Sequence, residues 1–300
     1  MASMNVQAKA LPPLRRPNGW RTAGRVLVRK PGRIAGLVII LTFVLMAAFG
    51  PLLYPATLPS DAAQIYAPPS LAHPLGTDFQ GTDVLAEIIT GARFVLLSAF
   101  LAAFFTVVFG TVIGLAAGYA RGLVDSVLMR ITDVFLTVPQ FPLLIVLSTV
   151  WKFSSPLALG FVLGITSWGG LARAVRSQTL SLRERGFIEA ARGLGLSNRH
   201  IVTKEIFPNV APFVVMNLLF ATTGSIYSEI TLFFLGIVPF SNNNWGVMLN
   251  MAFFQSGAMY TTSGLLYLMS PLACIMLVTF GVVLVLDAVD EIFNPRLKGV

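Results

Sequence analysis

Six long apolar runs restrict what this chain can fold into. They lie near residues 34–54, 94–118, 127–150, 157–180, 210–237 and 265–287. Each is close to the roughly 20 apolar residues that a helix needs to cross a bilayer, and backbone groups in lipid must be satisfied within their own segment. Spanning strands would show alternating segments of about 10 residues, which the sequence lacks. The runs therefore predict an all-α integral membrane protein with six transmembrane helices.

Charge is scarce and unevenly distributed along the chain. Charged residues make up 11% of it, against roughly 25% in soluble domains. With six spans, 19 of the 21 Lys and Arg residues fall on one side, and only Arg93 and Lys152 fall on the other. The positive-inside rule places the basic side, with both termini, in the cytoplasm. The net charge of +8 therefore indicates topology and contact with membrane lipid, and no nucleic-acid site.

This topology divides the chain into four regions. A basic cytosolic tail, 1–33, precedes the first transmembrane helix and a proline-rich external loop, 34–93. A five-helix core follows over 94–290, and a cytosolic tail occupies 291–300. An interfacial helix near 20–32 is an open alternative within the first tail. The first apolar run exceeds the 7–15 residues of a signal peptide, so we expect it to be retained.

Prolines and glycines refine the expected helices. The third run contains Pro139 and Pro142, and each proline removes a backbone donor and clashes with the preceding turn, so we expect a kink or break there. Small residues every four positions let membrane helices pack closely. The second and fourth runs have this spacing, at Gly110, Gly114, Gly118, Gly160 and Gly164.

The connection 181–208, between the fourth and fifth runs, is a long, polar and basic cytosolic loop. Phe187, Ala191 and Leu194 have the i, i+4, i+7 spacing of one apolar face of a short helix. Such a helix can enter a groove of a partner protein. The alternative is a solvated loop that lies on the membrane surface.

The same loop carries signals for a second helix. Gly195 can adopt the left-handed conformation that ends a helix, and Ser197 can then cap the next turn. Pro208 suits the start of a following helix. The loop therefore predicts a helix, a glycine turn and another helix before the fifth span.

Two acids fall inside the predicted spans, where ionisable residues are rare and often functional. Asp133 lies three residues from Arg130, so a local ion pair is the simpler interpretation, and a pore or subunit contact is the alternative. Glu229 shares a polar stripe with Ser225 and Ser228 in the fifth span. Pore lining, hydrogen bonding between helices and a proton relay remain open for it. We expect Glu229→Gln to keep assembly and alter transport.

Catalytic and metal motifs are absent from the sequence. It contains no G-x-x-x-x-G-K-[ST] phosphate loop and no H-E-x-x-H, and its histidines are His73 and His200 alone. A single cysteine, Cys274, excludes intrachain disulfides. We therefore expect a chain that is no enzyme by itself, with no catalytic residue, cofactor or metal of its own.

The polar loop resembles the coupling loop of the membrane subunits of binding-protein-dependent ABC importers. That family shares Glu-Ala-Ala, three residues, Gly, then an apolar run that ends in Pro. The pattern falls here on Glu189, Ala190, Ala191, Gly195 and Pro208.

The likeness extends over nearly the whole chain after residue 33, and it is closest to the C-type permease subunit of the dipeptide/oligopeptide class. Further matching segments are 73–78, 130–133, 172–176, 229–236 and 294–297. Departures at Thr82, Glu87 and 290–293 leave open a substrate such as an oligosaccharide or nickel.

The resemblance implies a multi-pass permease in the cytoplasmic membrane of a prokaryote, forming half of a pore for short peptides. It implies a heterodimer with a second, related permease, two cytosolic ATPase subunits that bind ATP and Mg, and an extracytoplasmic solute-binding protein. Residues 187–198 would be the coupling helix, with Phe187, Leu194 and Ser197 joining the shared motif in the ATPase contact.

Two rivals come from other classes of protein. A self-sufficient ion-coupled carrier or channel would need several charged coupling sites in its spans, and only Asp133 and Glu229 are available. An intramembrane hydrolase would need a catalytic pair, which the sequence does not show.

Overall fold

The structure is a computed structural model, and its described residues form a helical bundle. These residues are 30–54, 58–151, 153, 155–239 and 244–293. Their regular structure is helical, apart from one isolated antiparallel bridge between Thr77 and Asp83. The predicted interfacial helix near 20–32 lies mostly outside the described residues, as does most of the cytosolic tail at either end.

The helices are named here in chain order. They are α1 (Pro31–Leu53), α2 (Val84–Ala120), α3 (Gly122–Thr137), α4 (Gln140–Val150), α5 (Pro156–Ser167), α6 (Gly169–Arg183), α7 (Gly186–Gly193), α8 (Asn198–Phe234), α9 (Trp245–Asn250) and α10 (Thr262–Phe293). A π-helical turn, Ile201–Ile206, lies inside α8, and another, Met251–Gln255, follows α9.

The described helices provide between four and six candidate membrane spans. Helices α1, α2, α8 and α10 are each long and apolar enough to cross a bilayer. The pair α3 and α4 is bent by 84°, and the pair α5 and α6 by 51°. Six spans result if each bent pair is one crossing, so the predicted number is the upper limit of this range.

The break between α3 and α4 lies at the predicted proline. Pro139 precedes the first residue of α4, and both Val138 and Pro139 have extended backbones, with ψ of 120°. The residue before a proline disfavours the helical conformation, which explains why α3 ends at Thr137. The expected break is therefore confirmed at Pro139, whereas Pro142 lies inside α4.

Helix α2 is the centre of the bundle and packs on α5 and α6 through the spaced glycines. A Cβ at Gly114 would lie 2.6 Å from the carbonyl oxygen of Ala172 on α6. A Cβ at Gly164 on α5 would lie 2.5 Å from the Cβ of Phe105. Real side chains do not tolerate such distances, so the prediction of close glycine packing is confirmed.

Two helices extend beyond the predicted boundaries. Helix α2 begins at Val84 and not near residue 94, because Asp83 caps it by accepting hydrogen bonds from the backbone of Leu85 and Ala86. Arg33 belongs to α1 and not to a solvated tail. Its guanidinium is buried, and it donates to Asp287 and Glu291 of α10 at 2.8 and 2.6 Å, which fastens the first long helix to the last.

Candidate functional site

The loop 181–208 begins with a short helix, α7, that packs on the bundle with one face. On α7, Ile188 is fully buried and Ala191 is 6% exposed. Both belong to an apolar cluster with Ile201 and Ile206, in the first turns of α8. Because these residues exclude water together, a movement of α7 would carry the start of α8 with it.

A neighbouring face of α7 is apolar and open. Phe187 is 44% exposed and Leu194 is 80% exposed, and Ala190 is exposed between them. The predicted face of Phe187, Ala191 and Leu194 is therefore divided, because Ala191 is buried with Ile188 while Phe187 and Leu194 stay exposed. The helix is apolar on two sides, so spacing alone could not tell which side faces the bundle. Glu189 is also exposed.

The turn after α7 forms as its sequence predicts. Gly195 has a φ of 74°, in the left-handed region, and its N–H donates to the carbonyl of Arg192 at 2.9 Å. The backbone N–H of Leu196 donates to the carbonyl of Ala191 at 3.2 Å. Ser197 then caps the next helix by accepting from the backbone of His200.

Pro208 lies in the first turn of the α-helical segment Phe207–Phe234, as the sequence predicts, but this segment is not a separate helix. Helix α8 runs without interruption from Asn198 to Phe234, so the second loop helix and the fifth span are one element. The π turn at Ile201–Ile206 precedes the proline, and Phe207 donates to the carbonyl of Val202, five residues back. This wider hydrogen-bonding pattern explains how the helix continues past a residue that has no backbone N–H.

Sequence reasoning missed a contact that ties the loop to α2. The guanidinium groups of Arg183 and Arg192 lie 5.5 and 5.7 Å from the ring centre of Tyr119. The Tyr119 hydroxyl donates to Asn198 Oδ1 at 2.7 Å, and Arg183 donates to the Tyr119 carbonyl at 2.6 Å. These four residues, the Tyr119 junction, join α2, α6, α7 and α8. The one available signal was a tyrosine at the cytosolic end of an apolar run.

Asp133 has a different partner from the one predicted. It accepts a hydrogen bond from Arg173 of α6 at 2.7 Å, and both side chains are more than half exposed. The predicted pair with Arg130 is wrong, because packing of α3 against α6 brings Arg173 closer. Arg176 makes a similar but bidentate pair with Asp125, at 2.5 and 2.7 Å.

Glu229 is buried between helices. It is 0% exposed, and one of its carboxyl oxygens, Oε2, accepts a hydrogen bond from the Ser98 hydroxyl of α2. The other oxygen, Oε1, is buried without a hydrogen-bond partner among the described residues. Of the roles left open by the sequence, this geometry favours a hydrogen bond between helices.

A cavity of about 320 Å³ opens beside α8, and Ser225 and Ser228 line it whereas Glu229 does not. The remaining lining residues come from α2, α4, α5, α6 and α8. They are Thr106, Gln140, Leu163, Ser167, Leu171, Asn217, Phe220, Ala221 and Gly224. The cavity therefore combines an apolar wall with hydroxyl and amide groups.

The cavity lies where the two bent helix pairs break. Gln140 is the first residue of α4, directly after the 84° bend, and Ser167 is the last residue of α5, directly before the 51° bend. The Gln140 amide donates to the Ser167 hydroxyl at 2.7 Å, so one side chain links the two breaks. Irregular backbone at membrane depth is tolerated where it is buried in protein or lines a wet cavity.

The described residues contain no group of three or more His, Cys, Asp or Glu side chains that could hold a metal ion. His73 Nδ1 lies 2.9 Å from Asp83 Oδ2. His200 lies 4.0 Å from Glu205.

Comparison with known proteins assigns the chain to a family. Residues 110–299 match the binding-protein-dependent transport system inner membrane component, and residues 19–69 match the N-terminal TM domain of oligopeptide transport permease C. The dipeptide transport system permease protein of Alkalihalophilus pseudofirmus is 34% identical, over 93% of this chain and 91% of that protein. The oligopeptide transport system permease protein of Escherichia coli is 38% identical, over 77% and 78%.

Proposed function

The chain belongs to the family of binding-protein-dependent transport system inner membrane components, and we propose that it forms half of the pathway of an ATP-driven importer of short peptides. Its similarity to dipeptide and oligopeptide permeases supports the substrate class. The cavity at the two helix breaks is the part of this chain that we assign to the pathway. A second, related permease would supply the other half, with both termini of this chain in the cytoplasm.

The observation that carries the coupling role is the division of α7 into a buried and an open apolar face. Exposed apolar groups on a cytosolic helix are a common feature of docking surfaces. Phe187, Ala190 and Leu194 would enter a groove of one cytosolic ATPase subunit. Ile188 and Ala191 would pass the movement to α8, which lines the cavity.

ATP chemistry belongs to the partners in this proposal. The ATPase pair would bind ATP and Mg, and an extracytoplasmic solute-binding protein would deliver the peptide. An oligosaccharide or nickel importer of the same architecture is the alternative within the class. Binding measurements on the cognate solute-binding protein would distinguish these substrates.

The docking surface can be tested with the double variant Ala190→Arg and Leu194→Arg. Both side chains point outward, so the fold should survive, whereas two buried guanidinium groups in the groove would oppose docking. We expect the variant to copurify with the second permease while losing the ATPase pair. ATP-dependent peptide uptake should fall at least about tenfold, because each loss of roughly 1.4 kcal/mol in docking free energy weakens binding tenfold.

The matched control is Leu71→Arg, which changes a fully exposed leucine in the external loop. It should keep both the ATPases and the uptake. Retention of the ATPase pair at wild-type stoichiometry by the double variant would show that α7 is not the docking surface.

A further inference from the structure

The polar groups of the cavity carry no charge. Its lining combines three kinds of neutral side chain, namely hydroxyls, carboxamides and apolar groups, with no Lys, Arg, Asp, Glu or His. The nearby acids are directed elsewhere, since Glu229 is bonded to Ser98 and Asp133 to Arg173. A ligand in this cavity would therefore be recognised by hydrogen bonds and apolar contact.

Two hydroxyls of α8 are available to such a ligand. Thr222 and Thr223 donate to carbonyls four residues back in their own helix, at 2.8 and 3.2 Å. Ser225 and Ser228 line the cavity, and their side-chain hydroxyls make no hydrogen bond to any residue that the structure describes. Each can donate one hydrogen bond and accept others.

Two carboxamides leave their oxygen atoms available. Asn217 donates to the carbonyl of Phe213 at 2.8 Å, and Gln140 donates to Ser167. Neither carboxamide oxygen accepts a hydrogen bond from the residues that the structure describes. The cavity thus presents acceptors on Gln140 and Asn217 and donors on Ser225 and Ser228.

A peptide main chain needs this combination. Each peptide unit carries one strong donor and one strong acceptor, and leaving them unpaired away from water costs free energy. The free volume lies at the lower end of the roughly 300–1,000 Å³ that is usual for ligand sites. Neutral groups would hold the main chain while side chains of either charge pass.

We propose that Gln140, Asn217, Ser225 and Ser228 form a transient site for the main-chain amides of the transported peptide. This inference rests on the proposed function and adds the part of the substrate that the pathway recognises. Because the site lacks charge, it does not discriminate between cationic and anionic peptides. A charge placed there should create that discrimination.

The test is Asn217→Asp in the complete transporter, reconstituted in proteoliposomes with its solute-binding protein and ATPases. Uptake of Ala-Lys-Ala and Ala-Glu-Ala is measured, and the ratio is divided by the wild-type ratio, which cancels the preference of the binding protein. We expect this normalised ratio to rise roughly fivefold or more, because charges a few ångströms apart interact strongly in a partly dry cavity.

The matched control is Asn209→Asp. Asn209 lies on the same helix and also donates its amide to a carbonyl four residues back, but it is exposed and outside the cavity. Its normalised ratio should stay near one. If both variants gave the same normalised ratio while the wild type still imported peptide, the main-chain site would be overturned and the proposed function would stand. Absence of ATP-dependent peptide uptake by the wild type would overturn the proposed function as well.

A labelling measurement covers the case in which Asn217→Asp fails to fold. Ser228→Cys is placed in a Cys274→Ala background, which removes the one native thiol. We expect Ala-Ala-Ala, delivered by the binding protein during ATP turnover, to slow maleimide labelling at this position about threefold, since a bound peptide blocks access. Thr223→Cys is the control, because Thr223 does not line the cavity. Equal labelling rates with and without peptide would contradict the site.

Discussion

At the scale of single residues, Glu229 stands out because a buried carboxyl group is costly unless it is hydrogen-bonded. Among the residues that the structure describes, its carboxyl group accepts one hydrogen bond, from Ser98, which crosses from α2 to α8. The polar stripe around it suggested a pore position, but the cavity is lined by Ser225 and Ser228 and not by Glu229. The structure therefore favours a role in holding two helices together.

We expect Glu229→Leu to destabilise the subunit more than Glu229→Gln does, because glutamine can still accept the hydrogen bond from Ser98. Loss of a buried hydrogen bond costs about 0.5–1.5 kcal/mol. Thermal unfolding in detergent measures the effect, and a double-mutant cycle with Ser98→Ala isolates the pair. Normal stability of both Glu229 variants, together with altered uptake, would place Glu229 in the pathway instead.

Local signals in the sequence predicted local structure. Pro139 predicted a break, Gly195 a left-handed turn and Ser197 a cap, since each depends on backbone geometry within a few residues. The partner of Asp133 could not be predicted in this way. Arg173 is 40 positions distant in the chain, and it is brought close by helix packing that no periodicity encodes.

At the scale of elements, the Tyr119 junction determines how α7 is held. Helix α7 spans eight residues, which is too short to be stable alone in water. Two arginines stack on the Tyr119 ring, and its hydroxyl is bonded to Asn198, so α2 is connected to α7 and to the start of α8. A movement of α7 would therefore reach the 37-residue helix α2 directly.

We expect substitutions of Tyr119 to uncouple ATP hydrolysis from transport. Tyr119→Phe removes the hydrogen bond, worth about 0.5–1.5 kcal/mol, and Tyr119→Ala also removes two cation–π contacts of about 0.5–1 kcal/mol each. The amount of peptide imported per ATP hydrolysed, measured in proteoliposomes, should be highest for the wild type, lower for Tyr119→Phe and lowest for Tyr119→Ala. Tyr260→Ala, at an exposed external position, is the control.

If both Tyr119 variants kept the wild-type ratio of peptide imported to ATP hydrolysed, the Tyr119 junction would have no part in coupling. A fall in ATPase binding, measured by copurification, would instead show that the junction only positions the docking face. The sequence could not reveal this junction, because its four residues come from four helices. Their basic side chains were sufficiently explained by the positive-inside rule.

At the scale of the whole molecule, one rigid helix lies beside two broken ones. Helix α2 has 37 residues, or about 55 Å at 1.5 Å per residue, so it extends beyond a hydrocarbon core of about 30 Å. Its first turn is capped by Asp83, and its last turn holds Tyr119. The bent pairs α3–α4 and α5–α6 meet at the cavity, where backbone can change conformation without exposing unpaired groups to lipid.

Under the proposed function, the chain transmits movement and encloses part of a pathway, while its partners supply the energy. We therefore expect the purified chain in liposomes to show no peptide flux under a proton or sodium gradient. Addition of the second permease, the ATPase pair and the binding protein should restore uptake that requires ATP. Gradient-driven flux by the chain alone would favour a self-sufficient carrier, and the open apolar face of α7 would then need another explanation, such as contact with the membrane surface.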